Sequence, residues 1–397
     1  MIPGQRVDME KHPLDDRTTL TFPSDLPMET PYMEQVYYVR KCYSEYYDIV
    51  LRLLDEQVES VTVTGTPGIG KSVFLAYFFQ RYSSQNKEAT IITASFTRES
   101  KMRKVVVWKG GKIVGEAKNQ SLPMDELIWK TETEVRAQVK QEECVRGMVP
   151  KARLLYLYDG PPNDSPVGAQ MVCFTSPNAS WFAKLKKTPM RPQLFMPLWD
   201  LEELQIAAEE VNLTMSASLW DKVRNERKRE IEPNDGLMFA DEIDMRYKIF
   251  GGVARECLST DASFVRERLA LIKKAIDNIE EITHLRSALD GTETKDLHHC
   301  IFHYVPDPDG EQPTIAEPTT YVKRLLMERL CKSVTKQRNV IIKYLENIGA
   351  AASFRGTLFK CGVHGKLHSG CSKAAEWKRS HTIEKVHLRN VKTNGGW

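Results

Sequence analysis

The apolar and polar positions of the chain change period several times, and each change marks an element. From Glu34 to Glu56, Val36, Val39, Tyr43, Tyr46, Tyr47, Val50, Leu51 and Leu54 recur at steps of three and four, the spacing of an amphipathic helix. Val61–Thr64 (VTVT) is a short β-branched strand that runs into Gly65. Ser72–Tyr82 (SVFLAYFFQRY) returns to helical spacing, and Ala89–Phe96 (ATIITASF) reads as a second strand. Lys104–Trp108 and Ile113–Gly115 flank Lys109-Gly-Gly-Lys112, a two-residue hairpin signal. Met124–Cys144 predicts a helix. Arg153–Asp159 (RLLYLYD), Met171–Ser176 (MVCFTS) and Gln193–Pro197 (QLFMP) predict three further buried strands.

Strands alternating with helices imply an α/β fold whose mostly parallel sheet is covered on both faces. After Trp199-Asp200 the character shifts. Leu201–Val211, Ser216–Glu230, Asp241–Phe250, Phe264–Ile282 and Thr319–Ile348 favour helices, with few strand signals among them. The expected organisation is an extended arm over 1–33, an α/β core over 34–200, a helical lid domain over 201–345 and a basic segment over 346–397.

The chemistry concentrates in Gly65-Thr66-Pro67-Gly68-Ile69-Gly70-Lys71-Ser72, which fits G-x-x-x-x-G-K-[ST] at every fixed position. In such a loop the glycines let successive backbone amides turn toward phosphate oxygens at the positive end of the next helix. The lysine then reaches the β- and γ-phosphates, and the serine hydroxyl faces Mg²⁺. The motif lies between a strand and a helix, the context its function needs. A nucleoside triphosphate, ATP with Mg²⁺, is the expected ligand.

The metal side of such a site also needs an acid at the end of a neighbouring strand. Asp159, closing the apolar run Leu154–Tyr158, is placed for that role; its alternative is to open the Asp159-Gly160-Pro161 turn. Gly160 follows, where many ATPases carry a catalytic glutamate. Either another residue activates water, with Asp164 one candidate, or hydrolysis is slow and the nucleotide acts as a switch. Thr175 or Ser176, ending the next strand, could sense the γ-phosphate or cap the turn before Pro177.

Composition adds limits rather than identity. The 397 residues give room for two or three compact units, and 41% hydrophobic with 27% charged residues is ordinary for a globular protein. The net charge of +3 is uneven: Arg355–Trp397 carries nine Lys/Arg against two acids, net +7, leaving 3 − 7 = −4 for the rest. That tail could meet nucleic acid or be a solvated face; a host protein as its partner is implied only by the family resemblance given below. No run approaches the roughly 20 apolar residues of a membrane span, and Met1–Asp16 lacks an apolar leader core. Scattered cysteines suggest reduced thiols, hence a cytoplasmic or nuclear setting. Cys361, His364, His368 and Cys371 have the residue types for zinc; on one helix they would spread over about 15 Å, too far for one ion, while Gly362, Gly365 and Gly370 could bend the chain enough to allow it. The tyrosines of residues 32–47 could stack on a base or pack in the core.

Several segments occur in a telling order: the glycine loop, Tyr156-Leu-Tyr-Asp-Gly160, Phe174-Thr-Ser-Pro-Asn178 with Trp181, Met196-Pro-Leu-Trp199 followed by Glu202-Glu-Leu204, and Phe250-Gly-Gly-Val-Ala-Arg255. Together they resemble the NTPase module of Crinkler effectors and of retrotransposon hot spot proteins, over about residues 34–370. The resemblance implies an AAA- or STAND-type P-loop NTPase core with a helical lid, and places Arg255 within reach of the γ-phosphate. It also implies a regulatory or effector role, in a host nucleus if the protein is secreted, or for the second family a nucleic-acid association. The chain departs from the pattern at Ala254, where a proline is frequent, at residues 1–33, which do not look like a translocation header, and at Lys360, where a nuclease-like region would carry a glutamate. A third reading is a non-catalytic interaction protein stabilised by its nucleotide.

Overall fold

The computed structural model describes residues 13–14, 17–146, 154–187, 191–213, 239–277, 300–306 and 313–331. Its elements in chain order are β1 (Thr19–Thr21), β2 (Val36–Tyr38), α1 (Cys42–Asp55), β3 (Ser60–Thr64), α2 (Lys71–Gln85), β4 (Thr90–Phe96), β5 (Met102–Lys109), β6 (Lys112–Lys118), α3 (Ser121–Arg146), β7 (Leu154–Asp159), β8 (Gln170–Phe174), α4 (Ala179–Leu185) and β9 (Gln193–Phe195). There follow α5 (Leu201–Glu210), α6 (Phe239–Phe250), α7 (Ala254–Cys257), α8 (Ala262–Asp277), β10 (Tyr304–Pro306), β11 (Pro313–Ile315) and α9 (Thr320–Cys331). Contacts divide the chain into two units, Met1–Leu325 and Leu326–Trp397. Of the second, only the end of α9 is described. The zinc candidates, the basic tail and the helix expected over Ser216–Glu230 lie outside the described residues.

The fold is α/β around a mostly parallel seven-stranded sheet, ordered β6-β5-β4-β7-β8-β3-β9. β4, β7, β8, β3 and β9 run parallel, and β5 and β6 extend one edge antiparallel. The β5–β6 turn has positive φ at both Gly110 and Gly111, the geometry of the expected hairpin. β3 and β4 are buried at every residue, as strands covered on both faces must be.

One face packs Ile92, Ala94, Tyr156, Met171 and Cys173 under Met124 of α3 and Trp181 and Leu185 of α4. Asn178 caps α4 by accepting from the Trp181 amide at 3.0 Å, and the indole of Trp181 donates to Thr62 at 3.2 Å. The other face is aromatic. Phe74 and Phe78 of α2 meet Phe174 of β8, while Tyr43 and Tyr47 of α1 pack on Phe74, Tyr77 and Phe78 with ring centroids about 5 Å apart. Tyr43 and Tyr47 are therefore core residues.

One expectation is corrected. The helical spacing over Glu34–Glu56 does not begin a helix at Glu34. Val36–Tyr38 instead pairs antiparallel with Thr19–Thr21, and α1 starts only at Cys42. The pairing buries Leu20 and Tyr37 and fixes the arm along the molecule. Beyond residue 200, β10 and β11 pair antiparallel among the helices.

Candidate functional site

The loops after β3 and β8 leave the sheet in opposite directions. The chain passes from β3 through α2 to β4 on one side, and from β8 through α4 to β9 on the other side of β3. Such a reversal opens a crevice at the carboxyl ends of adjacent parallel strands, where α/β sheets place their ligands. A cavity of about 800 Å³ occupies that position, and Gly68, Gly70, Lys71, Ser72, Asp159 and Arg255 all line it. Pro67, Thr175 and Ser176 line it too.

The loop's shape follows from its glycines. Gly65, Gly68 and Gly70 have φ of +136°, +89° and +96°, which side chains rarely adopt. A Cβ on Gly68 would lie 2.8 Å from Val253 and 3.1 Å from the Cβ of Arg255. Between the glycines the other positions anchor the loop. Ile69 is fully buried and its carbonyl accepts from the Trp199 indole at 2.8 Å. The Thr66 hydroxyl accepts from the Tyr304 amide at 2.8 Å and donates to the Tyr304 carbonyl at 3.1 Å. Trp199 is held in turn by the Arg40 guanidinium 4.3 Å over its ring, and Arg40 is locked by a buried pair with Glu203 at 2.8 Å.

Lys71 opens α2 and folds back on its own loop. Its Nζ donates to the carbonyls of Gly65 and Thr66, each at 2.9 Å. Burial, with the nearby Arg255 charge, holds its ammonium down to about 7, against the pull of Asp159. A buried cation satisfied by carbonyls alone is suited to receiving an anion. Ser72 donates to Asp159 Oδ1 at 2.6 Å, so the hydroxyl in the first turn of α2 meets the carboxylate that ends β7. Asp159 is buried, and that burial raises its pKa above the ordinary carboxylate value; the hydrogen bonds from Ser72 and the Glu29 amide, and the charge of Lys71, oppose the rise.

Arg255 approaches from the helical segment. Its amide donates to Gly68 O at 3.0 Å, and its guanidinium, half exposed, lies 3.4 Å from Glu256. The Phe250-Gly-Gly-Val segment sets this docking. Gly251, at φ +67°, closes α6, and the Gly252 carbonyl accepts from the Trp199 amide at 3.1 Å. Ala254 is the first residue of α7. Thr175 spends its hydroxyl on the Ser176 carbonyl at 3.1 Å, while Ser176 faces the cavity.

Asp164 does not belong to the site: its side chain is 93% exposed, 3.9 Å from Lys184, on the outer turn. Gly160 cannot be replaced by an acid. Its φ is +96°, and a Cβ there would sit 2.5 Å from the Phe96 carbonyl oxygen. Sequence reasoning missed Glu29, a residue on the cavity rim whose amide donates to Asp159 Oδ2 at 2.8 Å. Burial and the Asp159 charge raise the Glu29 pKa, opposed by a backbone hydrogen bond from Arg98. The arm around it carries no periodicity or motif that could have pointed to it.

Among known proteins, the chain matches no family model and no curated sequence. Among solved structures it is similar to a chain in the structure of Drosophila ORC bound to DNA, at 12% identity over 92% of this chain and 83% of that one, with a TM-score of 0.27. A likeness at that level carries no argument about fold or function. No helix among the described residues is long and apolar enough to cross a membrane.

Proposed function

We propose that this chain is an ATP-binding P-loop NTPase of AAA or STAND type, slow in hydrolysis, with Mg²⁺ as cofactor. The observation that carries the reading is the convergence of Lys71, Ser72, Asp159 and Arg255 on one cavity at the crevice beside β3. The loop glycines leave room for backbone amides to approach phosphate, and Lys71, whose Nζ donates to the carbonyls of Gly65 and Thr66, would gain a charged partner in a phosphate.

The residues fit the metal as well. Ser72 and Asp159 offer a hydroxyl and a carboxylate, the hard oxygen donors that Mg²⁺ takes when phosphates and water complete its shell. No cluster of three His, Cys, Asp or Glu occurs among the described residues, and a Mg²⁺ shared with a triphosphate does not require one. The ion would neutralise charge growing on the β- and γ-phosphate oxygens. Lys71 would bind the same phosphates. Arg255, hinged on Gly68, would carry its charge to the γ end, so that nucleotide state and the packing of α7 on the loop are linked.

A second reading, a nucleotide switch without turnover, is favoured by the closed position at Gly160. The resemblance to Crinkler effectors adds an effector or regulatory role, and that to retrotransposon hot spot proteins a nucleic-acid association. Titration calorimetry with ATP, GTP and Mg²⁺ tests the core proposal. Lys71→Ala should weaken nucleotide binding roughly 10–150-fold, the loss of a charge-assisted contact of roughly 1.5–3 kcal/mol. Equal affinity in mutant and parent would refute the assignment. Phosphate release abolished by Asp159→Ala marks an enzyme; tight binding without release marks the switch.

A further inference from the structure

We propose that Arg268, stationed on α8 by the buried carboxylate of Glu256, is a second arginine for the terminal phosphate and makes the site prefer a nucleoside triphosphate to a diphosphate. The inference rests on the nucleotide-binding reading above and deepens it.

α8 sets this arginine among apolar residues. Val265, Ile272, Ala275 and Ile276 are its buried positions, and Arg268 falls three residues after the first and four before the second, on the same stripe. A cation in that place needs a charged partner or a ligand. The helix beneath it is braced. Asp261 caps α8 by accepting from the amides of Ser263 at 2.8 Å and Phe264 at 3.2 Å. The turn before it is held by the buried Arg246, which donates to the carbonyls of Cys257 at 3.3 Å and Ser259 at 2.6 Å and pairs with Glu242 at 2.6 Å.

The partner of Arg268 ties it to the phosphate loop. Its Nε donates to Glu256 Oε1 at 2.8 Å, and Arg255 Nη2 lies 3.4 Å from the same oxygen. Glu256 Oε2 is buried and has no hydrogen-bond partner among the described residues. That oxygen lies 3.0 Å from the point where a side chain on Gly68 would begin, and the Arg255 amide donates to Gly68 O at 3.0 Å. The carboxylate thus abuts the loop, and the Arg268 guanidinium stands one carboxylate away from it. Arg255, Glu256 and Arg268 all line the cavity that Lys71 lines.

These contacts leave cation in excess. Two guanidiniums share one carboxylate, so one positive charge remains over (2 − 1 = 1), and the Arg255 charge is already felt at Lys71. The Nη2 of Arg268 has the sulfur of Cys300 at 3.6 Å, which is a weak acceptor. A planar guanidinium can keep Nε on Glu256 and turn its Nη edge to a phosphate oxygen, a geometry that a point charge cannot imitate. A triphosphate extends one phosphate further than a diphosphate, and that added charge is what the excess would meet. The discrimination is therefore set at the end of the phosphate chain.

The test titrates the full chain with ATP and with ADP, each with Mg²⁺, by calorimetry, and repeats both titrations on Arg268→Gln, Arg268→Lys and Lys71→Ala. The parent should bind ATP more tightly than ADP. Arg268→Gln should weaken ATP about tenfold, the low end for a charge-assisted contact, and leave ADP within about twofold. Arg268→Lys keeps the charge without the fork and should restore part of the preference. Should Arg268→Gln not fold, Arg268→Lys decides alone, by a preference for ATP that is reduced or unchanged. Parallel losses for ATP and ADP would assign Arg268 to the scaffold and overturn the proposal, as would an unchanged ratio or a parent that binds the two nucleotides equally. The underlying reading fails separately, in a parent that binds ATP no better than Lys71→Ala does.

Discussion

Gly252→Ala is expected to destabilise the protein by roughly 3–5 kcal/mol, a large share of the total stability of a domain. The reason is not backbone freedom, since Gly252 is not among the glycines with positive φ. It is space. A Cβ would lie 2.0 Å from the Trp199 carbonyl oxygen, 2.7 Å from its amide nitrogen and 2.9 Å from Leu198 Cβ. Two of those neighbours are main chain, so relief requires moving the strand-exit segment that carries Trp199. That residue donates to Ile69 O and anchors the glycine loop, and the Gly252 carbonyl accepts from its amide. The methyl group therefore pushes apart the helical segment and the loop together. Gly111→Ala is the matched control: φ is +75°, nothing lies within 4 Å of its Cβ, and only left-handed strain of roughly 1–2 kcal/mol remains. Urea unfolding of the two variants decides the matter. Comparable midpoints, with unchanged m, would show that the loop and the Gly252 segment are not wedged together.

The site was legible in the sequence where one short stretch carries the chemistry by itself. Gly65–Ser72 stands out as a candidate loop because each fixed position answers a separate demand, and the strand before it and helix after it, β3 and α2, are strongly patterned. Asp159 was legible for the same reason, as the polar end of an apolar run, and the Gly110-Gly111 hairpin because a two-residue loop needs positive φ twice. What the sequence hid depends on pairings too short for a period. β1 and β2 have three residues each, and three residues cannot separate a step of two from a step of three or four. Val36 and Val39 accordingly read as the start of α1. Their strand pairing is decided by Leu20 and Tyr37 finding cover, a tertiary fact.

Gly160 shows a subtler limit. In the sequence it registers as a missing acid, and the next acid along the chain, Asp164, reads as one candidate substitute. The structure gives the cause, a carbonyl of β4 in the way, and brings to that strand end the backbone of Glu29, 130 residues before Asp159. Proximity in sequence carries little information at the edge of a parallel sheet, because adjacent strands there are separated by whole crossovers. The residues that complete such an edge come from whichever segment the packing leads past it.

Nucleotide affinity should fall as pH rises above neutrality, by about 20-fold between pH 7.5 and 9, because proton linkage contributes up to tenfold per unit. Lys71 is held down to about 7 by burial and by Arg255. A polyphosphate beside Nζ restores its preference for the charged form, so binding above pH 7 takes up a proton. At pH 7.5 that uptake is most of one proton, and calorimetry in buffers of different ionisation enthalpy measures it directly. The γ-phosphate titrates with a pKa of about 6 in the manner of other phosphate monoesters, and contributes little over this range. The same shift acts on folding. With a folded pKa near 7 and an unfolded value of 10.5, the unfolded chain binds more protons between those limits, so stability rises with pH across that window and the cost of the buried charge is fully present below it. Lys71→Met should lose both slopes together: its thermal midpoint should no longer climb between pH 7 and 9, and its residual nucleotide affinity should be flat. Parental binding that is independent of pH, with no buffer-dependent heat, would mean that Lys71 keeps its proton in the free loop and that the carbonyls of Gly65 and Thr66 satisfy it more completely than their two hydrogen bonds imply.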